Sequence, residues 1–108
     1  MDNFKVIYRI LRLLEKSMDC EEFNTEAFTA KEFGLNEPHF ARLLKMLVES
    51  GYISGVEVWN VRELEYPRYK IVRPEITLKG LEYLNDNSLM KKAAELAKGV
   101  FGVAGSII

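Results

Sequence analysis

The stretch from Thr29 to Ile53 constrains this chain more than any other, because it carries two helix starts and two helix stops within twenty-five residues. Thr29 followed by Glu32 has the spacing of a capping box, and Phe28 with Phe33 that of a hydrophobic staple. Gly34 then offers a left-handed stop. The device repeats at once. Asn36 caps a second helix, Leu35 and Phe40 form its staple, and Pro38 falls in the first turn, where a missing N–H costs little. Phe40, Leu43, Leu44 and Leu47 make an inward stripe, with Ala41 and Val48 at its margins, and Gly51 ends the helix. The spacing predicts helices over 30–34 and 36–50, joined by Gly34-Leu35-Asn36. So tight a link holds two helices at a steep angle, the geometry of a helix-turn-helix.

Around this centre the apolar period changes twice. Asp2 or Asn3 caps a first helix over about 4–17, with Phe4, Ile7, Leu11, Leu14 and Met18 as the buried stripe, widened by Val6, Ile10 and Leu13. Its opposite side bears a basic row, Lys5, Arg9, Arg12 and Lys16, which reads as a solvated face. Asp19 to Ala27 is acidic and aperiodic, with room for one helical turn over Glu22 to Ala27. From Tyr52 the residues become β-branched and aromatic, and Arg68 to Arg73 alternates polar and apolar up to Pro74. These are two strands of a wing over 52–73, joined by a charged connection from Asn60 to Pro67. Thr77 caps a further helix over 77–86, with Ile76 and Leu81 as its staple.

The last segment, from residue 88, steps through Leu89, Ala93, Leu96, Val100 and Val103 at heptad spacing. It reads as a helix that packs on the domain or dimerises, although Gly99, Gly102 and Gly105 each lower helix propensity by about 1 kcal/mol relative to Ala. The chain thus divides into a domain over 1–86 and a C-terminal helix over 87–108. The fold expected is mainly α with a small β-hairpin (α+β): a winged helix-turn-helix with a three-helix core, a two-stranded wing and C-terminal helices.

Composition narrows the function classes. The 108 residues hold 15 Lys and Arg against 16 Asp and Glu, with one Cys and one His. One cysteine forms no internal disulfide, as expected of a cytoplasmic protein, and Cys20 with His39 is too small a set to hold zinc. No apolar run approaches the roughly 20 residues that cross a bilayer, so a membrane partner is not expected. Phosphate loops, nucleophile elbows and metalloprotease motifs are absent from the sequence. The chain therefore reads as a non-enzyme without cofactor or metal.

Three stretches together carry a family resemblance: Tyr8-Arg-Ile-Leu, the run from Leu43 ending Glu-Ser-Gly-Tyr-Ile-Ser-Gly-Val, and Glu75-Ile-Thr-Leu-Lys-Gly-Leu-Glu-Tyr-Leu. On these the chain resembles the YjcQ-like family of small winged-helix proteins from Gram-positive bacteria and their prophages. The function of that family is largely unassigned. The resemblance implies the fold and a bacterial or prophage setting, and no site residues.

Two readings of function follow. As a DNA-binding transcriptional regulator, the chain would lay the 36–50 helix in the major groove, with His39, Arg42 and Lys45 facing the duplex and Arg62, Arg68 and Lys70 of the wing on the backbone. Residues 36–73 hold six basic and five acidic groups, a weak electrostatic basis for phosphate binding. The rival is a protein-interaction module or adaptor, favoured by that charge balance and by an aromatic wing (Tyr52, Trp59, Tyr66, Tyr69). An exposed Trp59 would strengthen the rival, since Trp is enriched at interfaces.

Overall fold

In the computed structural model, which describes residues 2–87, helix α1 (Asn3–Ser17) opens the chain. Two 3-10 turns (Thr25–Ala27 and Lys31–Phe33) and helix α2 (Glu37–Glu49) follow. Strands β1 (Ile53–Trp59) and β2 (Arg68–Ile76) pair as an antiparallel hairpin, and α3 (Leu78–Asp86) returns onto α1. Three helices and a two-stranded sheet in this order make the expected α+β, winged-helix arrangement. The C-terminal helix expected from residue 88, with its seam Leu89, Ala93, Leu96, Val100 and Val103, lies outside the described residues.

Each boundary follows from local chemistry. The Asp2 carboxylate accepts from the amides of Phe4 and Lys5 and starts α1. Asn36 accepts from the His39 amide at 2.9 Å and starts α2. At the other end of α2 the Tyr52 amide bonds the Leu47 carbonyl and the Gly51 amide bonds that of Val48, a complete Schellman stop around left-handed Gly51. Thr77 repeats the device for α3. Its hydroxyl accepts from the Gly80 amide, while its own amide bonds the Tyr52 carbonyl and ties the start of α3 to the start of the wing.

The segment expected as a helix over 30–34 is a single 3-10 turn. Only three residues separate Ala30 from left-handed Gly34, so the Phe33 and Gly34 amides close i→i−3 bonds to Ala30 and Lys31. Half of the expected capping box forms. The Thr29 hydroxyl accepts from the Glu32 amide at 3.3 Å, and no bond returns from the Glu32 carboxylate among the described residues.

The core is continuous from α1 through α2 to the inner face of the hairpin: Val6, Ile10, Leu11 and Leu14 meet Phe28, Phe33, Phe40, Leu43, Leu44 and Leu47, then Ile53, Val56 and Ile76. Phe40 sits at its centre, fully buried, edge-on to Phe28 and Tyr69 and stacked on Phe33. The buried face of α1 is rotated from the expected stripe. Phe4 and Met18, its two ends, are exposed, because Val6, Ile10, Leu11 and Leu14 take the buried positions and α1 packs on β2, α3 and the second 3-10 turn.

The second strand also departs from expectation by running through Pro74 to Ile76. A bulge permits this. Ser54 pairs with Glu75 and Val56 with Ile71, so Gly55 alone faces Val72, Arg73 and Pro74. A proline in a strand needs such an irregularity, since it has no N–H for the ladder. Gly55 answers with φ 77° and a backbone approach to Arg73 so close that a Cβ would lie 1.7 Å from the Arg73 carbonyl oxygen.

Candidate functional site

The residues that the sequence reading assigns to recognition lie on the outward face of α2 and on the hairpin beside it. Phe40 and Ala41 are buried, which turns Glu37, Pro38, His39, Arg42, Lys45, Met46 and Glu49 away from the core. Of the six sequence-predicted contact residues, His39, Arg42 and Lys45 lie on this helix, Arg68 and Lys70 lie on β2, and Arg62 lies in the connection between the strands.

All three helix cations or proton carriers are engaged by the chain itself. His39 Nε2 donates to Asn3 Oδ1 at the start of α1, at 2.6 Å. Arg42 Nη2 donates to the Glu65 carbonyl at 2.9 Å, which draws the strand connection onto the helix. Lys45 Nζ lies 3.3 Å from Glu49 Oε2 one turn on. That last pair is a surface i,i+4 contact with lysine on the N-terminal side, the weaker orientation, and contributes at most a few tenths of a kcal/mol.

The acidic residues of this face are equally placed. Glu37, the first residue of α2, accepts the Tyr69 hydroxyl at 2.7 Å. As the first residue of α2, Glu37 also stands where the helix dipole favours negative charge. Burial pushes the Tyr69 phenol well above its ordinary value, and the hydrogen bond to Glu37 and the charge of Glu37 push the same way. The Tyr69 ring also meets Phe40 edge-on at 5.5 Å, so one residue fastens wing, helix and core.

On the hairpin, alternation separates two faces. Val56 opposite Ile71 and Val58 opposite Tyr69 turn inward. Glu57 opposite Lys70 and Trp59 opposite Arg68 turn outward, followed on β2 by Val72. Trp59 is 45% exposed. The side chains of Arg62, Arg68 and Lys70 make no ion pair or hydrogen bond among the described residues. The basic row of α1, by contrast, is partly consumed: Arg9 donates to the Glu32 carbonyl and lies over the Phe33 ring, and Arg12 pairs with Glu15.

Sequence reasoning missed the partners of α2. Asn3, Glu65 and Tyr69 stand 36, 23 and 32 residues from the side chains they hold, and no local pattern announces such pairs. The outward Trp59 did have a signal, because strict alternation from Val56 places it beside Glu57. Among the described residues no group of three or more His, Cys, Asp or Glu could hold a metal, and no helix is long and apolar enough to cross a membrane.

Comparison with curated proteins and with solved structures gives no match. A family model described as YjcQ protein matches residues 8–101, nearly the whole chain.

Proposed function

The chain belongs to the YjcQ family, and we propose that it works as a non-enzymatic winged-helix module that binds another protein. The start of α2 carries this reading. In a groove-reading helix that turn meets phosphate or base edges, and here it presents the Glu37 carboxylate locked to Tyr69. His39 and Arg42 are drawn onto Asn3 and Glu65, and Lys45 faces Glu49. A duplex would have to displace these contacts and desolvate a carboxylate beside its own phosphates.

A second reading, a DNA-binding transcriptional regulator of bacterial or prophage origin, is favoured by the wing cations Arg62, Arg68 and Lys70. Titrating mixed genomic DNA at low and physiological salt separates the two. The protein-binding reading expects weak binding at low salt, none at physiological salt, and no difference in the Arg42→Ala/Lys45→Ala variant. Saturable binding at physiological salt would refute it, above all if the double variant flattened the slope of log K against log salt by about 2, as loss of two phosphate contacts requires.

A further inference from the structure

The outer face of the hairpin has no partner within the described chain, and its composition is specific. Trp59 is 45% exposed at the end of β1, directly opposite Arg68 and diagonal to Lys70. Val72, 58% exposed, continues the same face of β2. Trp59, Arg68 and Lys70 lie close enough for one ligand side chain to touch several of them, since opposite Cβ atoms stand about 5 Å apart and diagonal ones about 7 Å. The inner face of the same strands packs on the core through buried Val56 and half-buried Val58, Tyr69 and Ile71, so the outer face is not a substitute for core packing.

From this juxtaposition we propose that the outer face of the wing, Trp59 with Arg68, Lys70 and Val72, is a docking surface for an acidic segment of a partner protein that also carries apolar side chains. The inference deepens the protein-binding reading above and rests on it. Charge complementarity selects the occupant. Arg68 opposite the indole and Lys70 diagonal to it outnumber the one carboxylate of this face, Glu57, which stands beside Trp59 on β1 and opposite Lys70, so the face keeps a net positive charge. A carboxylate of the partner reaches Arg68 in the planar, two-bonded geometry that guanidinium favours, and a second meets Lys70. One apolar side chain of the partner lies against the indole, and a second, further along β2, against Val72. An exposed tryptophan beside an arginine is also the composition that interface hot spots favour.

Trp59 is the only tryptophan of the chain, so its fluorescence reports this face alone. The test titrates the full chain with a short Trp-free peptide alternating Glu with Leu and Phe, with the same peptide carrying Lys for Glu, and with a single-stranded oligothymidylate. The acidic peptide is expected to shift Trp59 emission saturably, to weaken as salt rises, and to bind at least about tenfold more weakly to Arg68→Ala/Lys70→Ala. Both substituted side chains are exposed, so the variant should keep the circular dichroism and melting temperature of the wild type, which shows that lost binding is not lost folding. No saturable shift with the acidic peptide, an equal shift with the basic one, or indifference to the double variant overturns the assignment of this face and leaves the protein-binding reading standing. Tighter binding of the oligothymidylate overturns both.

Discussion

Three glycines separate two costs that are usually confounded, and Gly55→Ala is the most informative substitution in the chain. At Gly51 the backbone is left-handed (φ 81°), but a Cβ would meet only Lys79 Cδ, at 3.8 Å. Gly51→Ala therefore adds conformational strain alone, roughly 1–2 kcal/mol. At Gly80 a Cβ would lie 2.4 Å from the Tyr52 carbonyl oxygen and 2.6 Å from Ile76 Cγ1. That carbonyl is held by the Thr77 amide, so it does not withdraw freely. Gly80→Ala adds overpacking of about 1–3 kcal/mol, offset by about 1 kcal/mol of gained helix propensity. Gly55 carries both burdens, with φ 77° and a Cβ 1.7 Å from Arg73 O. No rotation relieves that contact without opening the bulge. Its cost is roughly 2–5 kcal/mol, the sum of the two effects.

Against a total stability on the order of 5–15 kcal/mol, Gly55→Ala removes a large share, and the melting temperature should fall by about 10 °C or more. Thermal and urea unfolding followed by circular dichroism and by Trp59 emission measures all three variants. The expected order of destabilisation is Gly55→Ala well above Gly51→Ala and Gly80→Ala. If Gly55→Ala costs no more than Gly51→Ala, the close approach at Arg73 is not a feature of the folded protein, and the pairing of Ser54 with Glu75 and Val56 with Ile71 is wrong.

Tyr69→Phe should cost about 1 kcal/mol at neutral pH, through loss of the hydrogen bond to Glu37. Because folding raises the Tyr69 pKa above its ordinary value of 10, the associated stability is intact below pH 10 and is lost as pH rises towards the folded value; urea midpoints measured above pH 10 should therefore fall more steeply in the wild type than in Tyr69→Phe. A chain ending at Asn87 should show a smaller oligomeric mass than the full chain by light scattering if the heptad seam from Leu89 is a dimer helix, and a full chain that is already monomeric rejects that role.

The fold was legible because its signals are local. Asn36 and Thr77 cap within three residues, Gly51 stops α2 within one turn, and the stripe Phe40, Leu43, Leu44, Leu47 needs only the helical period. Errors fell where a local rule met a longer-range constraint. Thr29 does cap, yet Gly34 leaves room for one turn, and geometry makes that turn 3-10 rather than α. Pro74 does disfavour a regular ladder, yet Gly55 on the opposite strand absorbs the irregularity and the pairing continues. Phe4 and Met18 keep the period of α1, but burial depends on where the rest of the molecule ends.

The candidate site was less legible for a related physical reason. A cation's availability is a property of what faces it, and the partners of His39 and Arg42 come from α1 and the strand connection. Read along the sequence, Arg42 is a free guanidinium on a recognition helix. In the fold, one of its N–H groups is committed to Glu65, and the carboxylate of Glu37, at the start of the same helix, has a tyrosine bound to it. The same logic runs the other way on the hairpin. Trp59, whose exposure the sequence leaves open, is turned outward because Val56 and Val58 take the inner positions. The outward side chains of α2 are thus engaged with the rest of the chain, while the outward sheet face keeps an exposed indole and two cations without partners among the described residues.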